Sequence, residues 1–263
     1  MPIPHRTARL RSVGRLLLLG AHFLQGWLQL HVLFRRVPMG QQRPRVQAWC
    51  ERLLRISGVS LAVQGSVPAG GPMLLVANHV SWLDMIVLQS LLPCRFVAKA
   101  EVRHWPLIGT MASRCRTLYI DRSAPRATAA VTQAMAHALG EGDTLVLFAE
   151  GTTSDGTTIL PFRASLLQGA IDAPAEVLPV ALRYLDDATL TVSRKAAFAD
   201  DDTLLGAMWR ALGRDVTVQV AFGEALASQG RHRRALATEL HSQVASLHAS
   251  RSPCGLSGAR IVP

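Results

Sequence analysis

Short, uninterrupted apolar runs recur along this chain, separated by segments of helical period. Met73-Leu74-Leu75-Val76-Ala77 and Leu145-Val146-Leu147-Phe148 are the plainest. In an extended segment, successive side chains point to opposite faces, so a strand that is apolar throughout needs cover on both sides. An antiparallel sheet with one wet face would instead read as apolar–polar alternation. The pattern predicts an α/β fold, a largely parallel sheet flanked by helices. Candidate strands fall at 60–64, 73–77, 95–98, 117–121, 144–149, 177–183 and 216–222. Candidate helices fall at 46–56, 82–92, 126–139, 166–172, 202–211 and 233–248, with Gly58 as the stop of the first. A chain of 263 residues is long enough to bury a core of this kind.

A different segment precedes the sheet pattern. Residues 16–34 are 19 positions free of Asp, Glu, Lys and Arg, just inside the length of a membrane-spanning helix. At 3.6 residues per turn, Arg11, Arg15, His22, Gln25, Gln29 and Arg36 share one stripe, and Leu17, Leu24, Leu28 and Phe34 lie opposite. That pattern predicts a helix lying in the membrane interface, with a single membrane crossing or a helix packed on the protein's own core as the alternatives. No small-residue cleavage site follows it, so a removed signal peptide is not expected. Residues 1–55 hold ten arginines and one acid, whereas the other 208 residues hold 18 basic and 17 acidic groups. A basic end on a nearly neutral body suits anionic lipid headgroups. Nucleic acid would need a recognisable binding module or interleaved aromatics, and neither is present. The expected organisation is a membrane-associating segment over 1–45, a globular domain over 46–249 and a disordered tail over 250–263. Cys50, Cys94, Cys115 and Cys254 are scattered without a Cys-x-x-Cys pair, as expected of isolated thiols in a reducing compartment.

Polar residues cluster where the predicted strands end. Asn78-His79-Val80-Ser81-Trp82-Leu83-Asp84 follows the second strand, Lys99 and Glu101 the third, and Glu150-Gly151-Thr152-Thr153 the fifth. Asp121 and Arg122 close the fourth, and Arg163 comes after the turn at Pro161-Phe162. Ligand sites in such sheets lie at the carboxyl ends of strands. A histidine five positions before an aspartate reads as a general base with its orienting carboxylate, able to take a proton from a hydroxyl. A third metal ligand is not evident beside the pair, and no Gly-x-Ser-x-Gly nucleophile elbow occurs, which disfavours a metal centre and a serine esterase. Backbone donors at the start of the following helix are the candidates for stabilising an oxyanion.

With these residues in view, the chain resembles the glycerolipid acyltransferase family that includes the 1-acyl-glycerol-3-phosphate acyltransferases. Asn78-His79-x4-Asp84 matches the family's His-x4-Asp block. Leu118-Tyr119-Ile120-Asp121-Arg122, Phe148-Ala149-Glu150-Gly151-Thr152 and Val177-Leu178-Pro179-Val180 resemble its second, third and fourth blocks, in order and at matching spacing. The resemblance runs from about residue 45 to about residue 225. It implies that His79 deprotonates an acceptor hydroxyl and that Asp84 orients it. It also implies that Lys99, Arg122, Glu150, Gly151, Thr152 and Arg163 bind substrate, and that Pro179 supports the pocket wall. The implied reaction moves a fatty acyl group from acyl-CoA or acyl carrier protein to a lysolipid hydroxyl at the cytoplasmic face of the cell membrane. Neither a metal nor a cofactor is implied, since a thioester is already activated.

Three positions depart from the family pattern. Arg116 stands where the second block opens with glycine, Ala149 where the third has proline, and Thr153 where it has arginine. An arginine supplies a planar charged fork suited to phosphate. Without one at 153, Arg163 or Arg116 becomes the candidate for that charge. The stretch from Glu150 to Gly156, followed by Leu160-Pro161-Phe162-Arg163, is similar to the subset that includes the lyso-ornithine lipid acyltransferases. Two acceptors therefore stay open, 1-acyl-sn-glycerol-3-phosphate first and lyso-ornithine lipid as its alternative.

Overall fold

A computed structural model describes residues 5–121, 125–186, 191–193, 206, 215–250 and 260–262. The strands are β1 (Val59–Gln64), β2 (Met73–Ala77), β3 (Arg95–Lys99), β4 (Leu118–Ile120), β5 (Thr144–Phe148), β6 (Glu176–Asp186), β7 (Val216–Phe222), β8 (Leu226–Ala227) and β9 (Arg260–Val262). The helices are α1 (His5–Leu28), α2 (Met39–Ser57), α3 (Leu83–Leu91), α4 (Ile108–Arg114), α5 (Pro125–Gly140), α6 (Gln168–Asp172) and α7 (Arg233–Ala249). The strands join one sheet in the order β4-β3-β5-β2-β6-β7-β1-β9, with β8 on β6. Pairing is parallel from β4 through β6 and again between β7 and β1, and antiparallel for β6–β7, β6–β8 and β1–β9. The expected largely parallel sheet is the one observed. The candidate helix at 202–211 falls outside the described residues apart from Gly206.

The doubly apolar strands sit as their composition requires. Leu75, Ala77, Val146, Phe148, Leu178 and Val180 face one core with Leu53, Leu54, Val87 and Leu88 of α2 and α3. Leu74, Val76, Leu145, Leu147 and Val177 face the other, against Val131, Met135 and Leu139 of α5, and Leu236 and Leu240 of α7. Central strand β2 has β5 on one side and β6 on the other. The chain order reverses there, which opens a crevice at the strands' carboxyl ends.

Four elements differ from the sequence expectation. Helix α2 begins at Met39, seven residues ahead of the expected 46, and so contains Pro44. The Gln42 side chain ties this entry down by donating to Val37 O at 2.6 Å and Phe34 O at 3.1 Å. Gly58 does end α2, at φ 72°, a left-handed turn that favours glycine. Helix α4 was not anticipated; at seven residues it is too short for a periodic signal. In the tail, Arg260–Val262 pair antiparallel with β1 because that strand otherwise ends the sheet with an open edge; 251–259 lie outside the described residues.

The polar stripe of α1 is divided between the protein and solvent. His22 is buried, bonds Trp49 O through Nε2 at 2.9 Å, and stacks on the Trp49 ring at 4.7 Å. Arg15 reaches Asp215 at 2.6 Å. These two thus face the protein body, whereas Gln25 and Arg36 of the same stripe are exposed and Phe34 of the opposite face is buried. Leu17, Leu18, Leu24, Leu28, Val32 and Leu33 are left exposed, with Leu17 at 70%. Ser12–Leu33 is long and apolar enough to cross a membrane by length and composition.

Candidate active site

Strand β2 ends at Ala77, and the next two residues turn across the crevice. The Asn78 side chain donates to Leu182 O at 3.0 Å and accepts from Leu182 N–H at 2.8 Å, extending the ladder between β2 and β6 with a side-chain amide. His79 follows directly, with its side chain 20% exposed. Its Nδ1 lies 2.7 Å from Asp84 Oδ2. Its ring stacks on Phe148 at the end of β5, with 4.1 Å between centroids and 13° between planes. The imidazole is therefore held on an edge and on a face.

Asp84, in the first turn of α3, is wholly buried. Oδ2 accepts from Val80 N–H at 2.7 Å and Ser81 N–H at 2.9 Å besides His79, and Oδ1 accepts from the Tyr184 hydroxyl at 2.6 Å. Four donors satisfy a carboxylate that would otherwise be costly to bury. Burial, reinforced by the Asp84 charge, pushes the Tyr184 phenol well above its ordinary value, so it remains a donor. With Nδ1–H given to Asp84, Nε2 carries the ring's lone pair.

The N–H groups of Val80 and Ser81, which precede α3, are taken by Asp84. The N–H of His79 is taken by Glu150 Oε2 at 3.1 Å. Within this short loop the buried carboxylates claim the donors first.

Glu150 follows β5 and is buried. Its Oε1 accepts from Leu160 N–H at 2.9 Å, so one side chain braces the loops after β2 and β5. Ser154 N–H donates to His79 O at 2.8 Å and closes the same brace. Burial pushes Glu150 up to about 7 from 4.5, with the Asp84 charge adding to the rise and two backbone donors opposing it. Gly151 makes the turn at φ 75°, and Thr152 beside it is half-buried. Lys99 is exposed at the carboxyl end of β3. Arg163 has an exposed side chain, and its N–H donates to Ala149 O at 2.8 Å, next to Glu150. Arg122 lies outside the described residues. Arg116 does not belong to this edge: it precedes β4, at the opposite end of the sheet, and so supplies no charge here. Among the described residues, no group of three His, Cys, Asp or Glu side chains is placed to hold a metal.

Tyr184 escaped the sequence reading. It sits one hundred positions from Asp84. Its one available signal was a phenol, one of two tyrosines in the chain, inside an apolar strand where its hydroxyl needs a partner. Trp82, in contrast, packs into the core as its apolar neighbours suggested.

An apolar cavity lies between α1, α2, α3 and α4, lined among others by Phe23, Leu30, Trp49, Ile86, Phe96 and Met111. Phe96 stacks at 6.2 Å on Phe148, which in turn stacks on His79. The cavity therefore approaches the base through two rings.

Comparison with known proteins places the chain in a family. The acyltransferase family model matches residues 60–183. The lyso-ornithine lipid O-acyltransferase of Pseudomonas aeruginosa is 36% identical over 226 residues, covering 84% of this chain and 85% of that protein. The 1-acyl-sn-glycerol-3-phosphate acyltransferase of Neisseria meningitidis is 36% identical over 173 residues, covering 63% and 67%. The crystal structure of the 1-acyl-sn-glycerophosphate acyltransferase PlsC from Thermotoga maritima shares the fold, with a TM-score of 0.62 at 20% identity, over 92% of this chain and 99% of that one. This chain belongs to the acyltransferase family. It is an enzyme of that class.

Proposed function

We propose that this enzyme moves a fatty acyl group from an acyl thioester to the free hydroxyl of a lysolipid, with 1-acyl-sn-glycerol-3-phosphate as acceptor and lyso-ornithine lipid as the alternative. The observation that carries this reading is the His79–Asp84 contact of 2.7 Å, with Asp84 fully buried and held by three further donors. His79 Nε2 takes the hydroxyl proton as the oxygen attacks the thioester carbonyl. Asp84 steadies the imidazolium that forms. The tetrahedral intermediate then expels the thiolate, which takes the proton back from His79. General-base assistance of this kind contributes roughly two to four orders of magnitude, and alignment of the reactants adds to it.

The acyl chain occupies the apolar cavity, whose lining is mostly hydrophobic and aromatic, as ligand sites are. Glu150, Gly151 and Thr152 shape the acceptor side by fixing the loop against His79. Lys99, Arg122 and Arg163 attract the anionic parts of acceptor and donor. Acyl-CoA or acyl carrier protein serves as donor, with no metal or cofactor. The exposed apolar face of α1 lies against the cytoplasmic face of the membrane, from which the lysolipid enters.

Two observations favour the alternative acceptor. The Pseudomonas lyso-ornithine relative matches over 84% of this chain, against 63% for the Neisseria lysophosphatidate relative. Thr153 also stands where a phosphate-binding arginine is expected. The deciding experiment gives the enzyme one acyl thioester with lysophosphatidate, lyso-ornithine lipid or a neutral lysolipid, and weighs the products by mass. Acylated lysolipid is expected. Thiol release that is equal with and without any lysolipid would mean hydrolysis and would end the transfer reading.

A further inference from the structure

The amino-terminal ends of β3 and β5 frame a second cavity. Four arginines line it, Arg43, Arg95, Arg114 and Arg116, together with Asp143. Asp143 holds Arg95 at 2.5 Å and Arg43 and Arg116 at 3.5 Å each. Arg116 also reaches Glu141 at 3.3 Å. Two carboxylates thus serve three of the four guanidinium groups. So many like charges around one recess repel one another unless an anion joins them. The planar fork of arginine matches a phosphate.

The recess also borders apolar surface. Leu30, Phe34 and Val46 line both it and the apolar cavity. Val32 and Leu33, in the same turn of chain as Leu30 and Phe34, are more than half exposed. Cationic groups beside exposed aliphatic ones suit the boundary of a bilayer, where phosphates lie just above the acyl chains. The length of β5 separates this recess from His79, about 13 Å for five residues in extended chain.

We propose that the recess formed by Arg43, Arg95, Arg114 and Arg116 binds the phosphate of an anionic membrane phospholipid, one that is held and not reacted. This site is independent of the acyl-transfer reading.

The test is sedimentation of the full-length protein with phosphatidylcholine vesicles, with or without phosphatidylglycerol. The wild type is expected to prefer the anionic vesicles. A double variant, Arg43→Ala with Arg116→Gly, is expected to lose about tenfold or more in that binding, since each arginine near an anionic surface is worth about fivefold. A second pair, Arg52→Ala with Arg55→Ala, removes the same charge from exposed positions on α2 outside the recess and should lose clearly less. Equal losses from the two pairs would mean diffuse attraction and overturn the site. Should the first double variant not fold, Arg43→Gln alone, at a half-exposed side chain, makes the same comparison. A rise in melting temperature as large with soluble sn-glycerol 3-phosphate as with vesicles would make this a free-phosphate site and overturn the membrane assignment.

Discussion

Asp84 and Asp143 are both buried, at opposite ends of one sheet, and their partners differ. Asp84 accepts from an imidazole, two peptide N–H groups and a phenol. Asp143 is surrounded by Arg95, Arg43 and Arg116. A buried carboxylate without a permanent cation nearby keeps its charge for the one group that becomes cationic in the proposed mechanism, the imidazole. A carboxylate shared among guanidinium groups has no charge to spare and instead holds those groups in place. The partner set, rather than burial, decides whether an aspartate serves chemistry or binding.

The largest expected break in this contrast is at the base. His79→Ala should lower kcat by about two to four orders of magnitude. The fold should survive, because the side chain is partly exposed. Thiol release measured beside a thermal melt checks both halves, and retained turnover would remove His79 from the mechanism.

The same substitution at both aspartates sharpens the contrast next. Asp84→Asn should lower kcat by about a hundredfold or more, since an amide can present Nδ2–H to the imidazole and favour the wrong tautomer. Asp143→Asn should act chiefly on stability, by about 1–3 kcal/mol, because Arg95 is nearly buried and loses its closest acceptor. Denaturant titration and initial rates on both variants separate the two effects.

Glu150 gives the catalytic edge a pH signature. Its folded-state value of about 7 lies above 4.5, so the native protein keeps a proton that the unfolded chain releases. Stability from this group is complete below pH 4.5 and is lost as pH rises through 7, a change on the order of 3 kcal/mol. Wild-type stability should therefore fall relative to Glu150→Gln between about pH 5 and about pH 8. Parallel curves for the two proteins would place the carboxyl's titration elsewhere.

The smallest effect is expected at Tyr184→Phe, which removes one of the four donors to Asp84. About 1–3 kcal/mol of stability should go, with a smaller loss in kcat than at Asp84 itself. A variant as active and as stable as the wild type would show that three donors suffice.

The central strands were readable because burial on both faces leaves no freedom of composition. Met73–Ala77 and Val216–Phe222 have the bounds their apolar runs implied, and β5 differs by one residue. The His79–Asp84 pair was readable because both residues belong to one loop and the helix after it. Tyr184 was not, because its bond to Asp84 joins β6 to α3 across the core. Which side of α1 meets the protein was not readable for a related reason. Helical periodicity separates two faces without saying which one meets the protein, and Trp49 and Asp215, the partners that turn His22 and Arg15 inward, come from distant segments.

The sequence by itself determined the layered α/β fold, the proximity of His79 and Asp84 and the apolar character of the first helix, all of which follow from local spacing and burial pattern. Only the tertiary structure decided which donors hold Asp84, that Glu150 ties two loops together, and that Arg116 stands at the far end of the sheet from His79. Those arrangements depend on contacts between segments far apart in the chain, and side-chain periodicity carries no record of them.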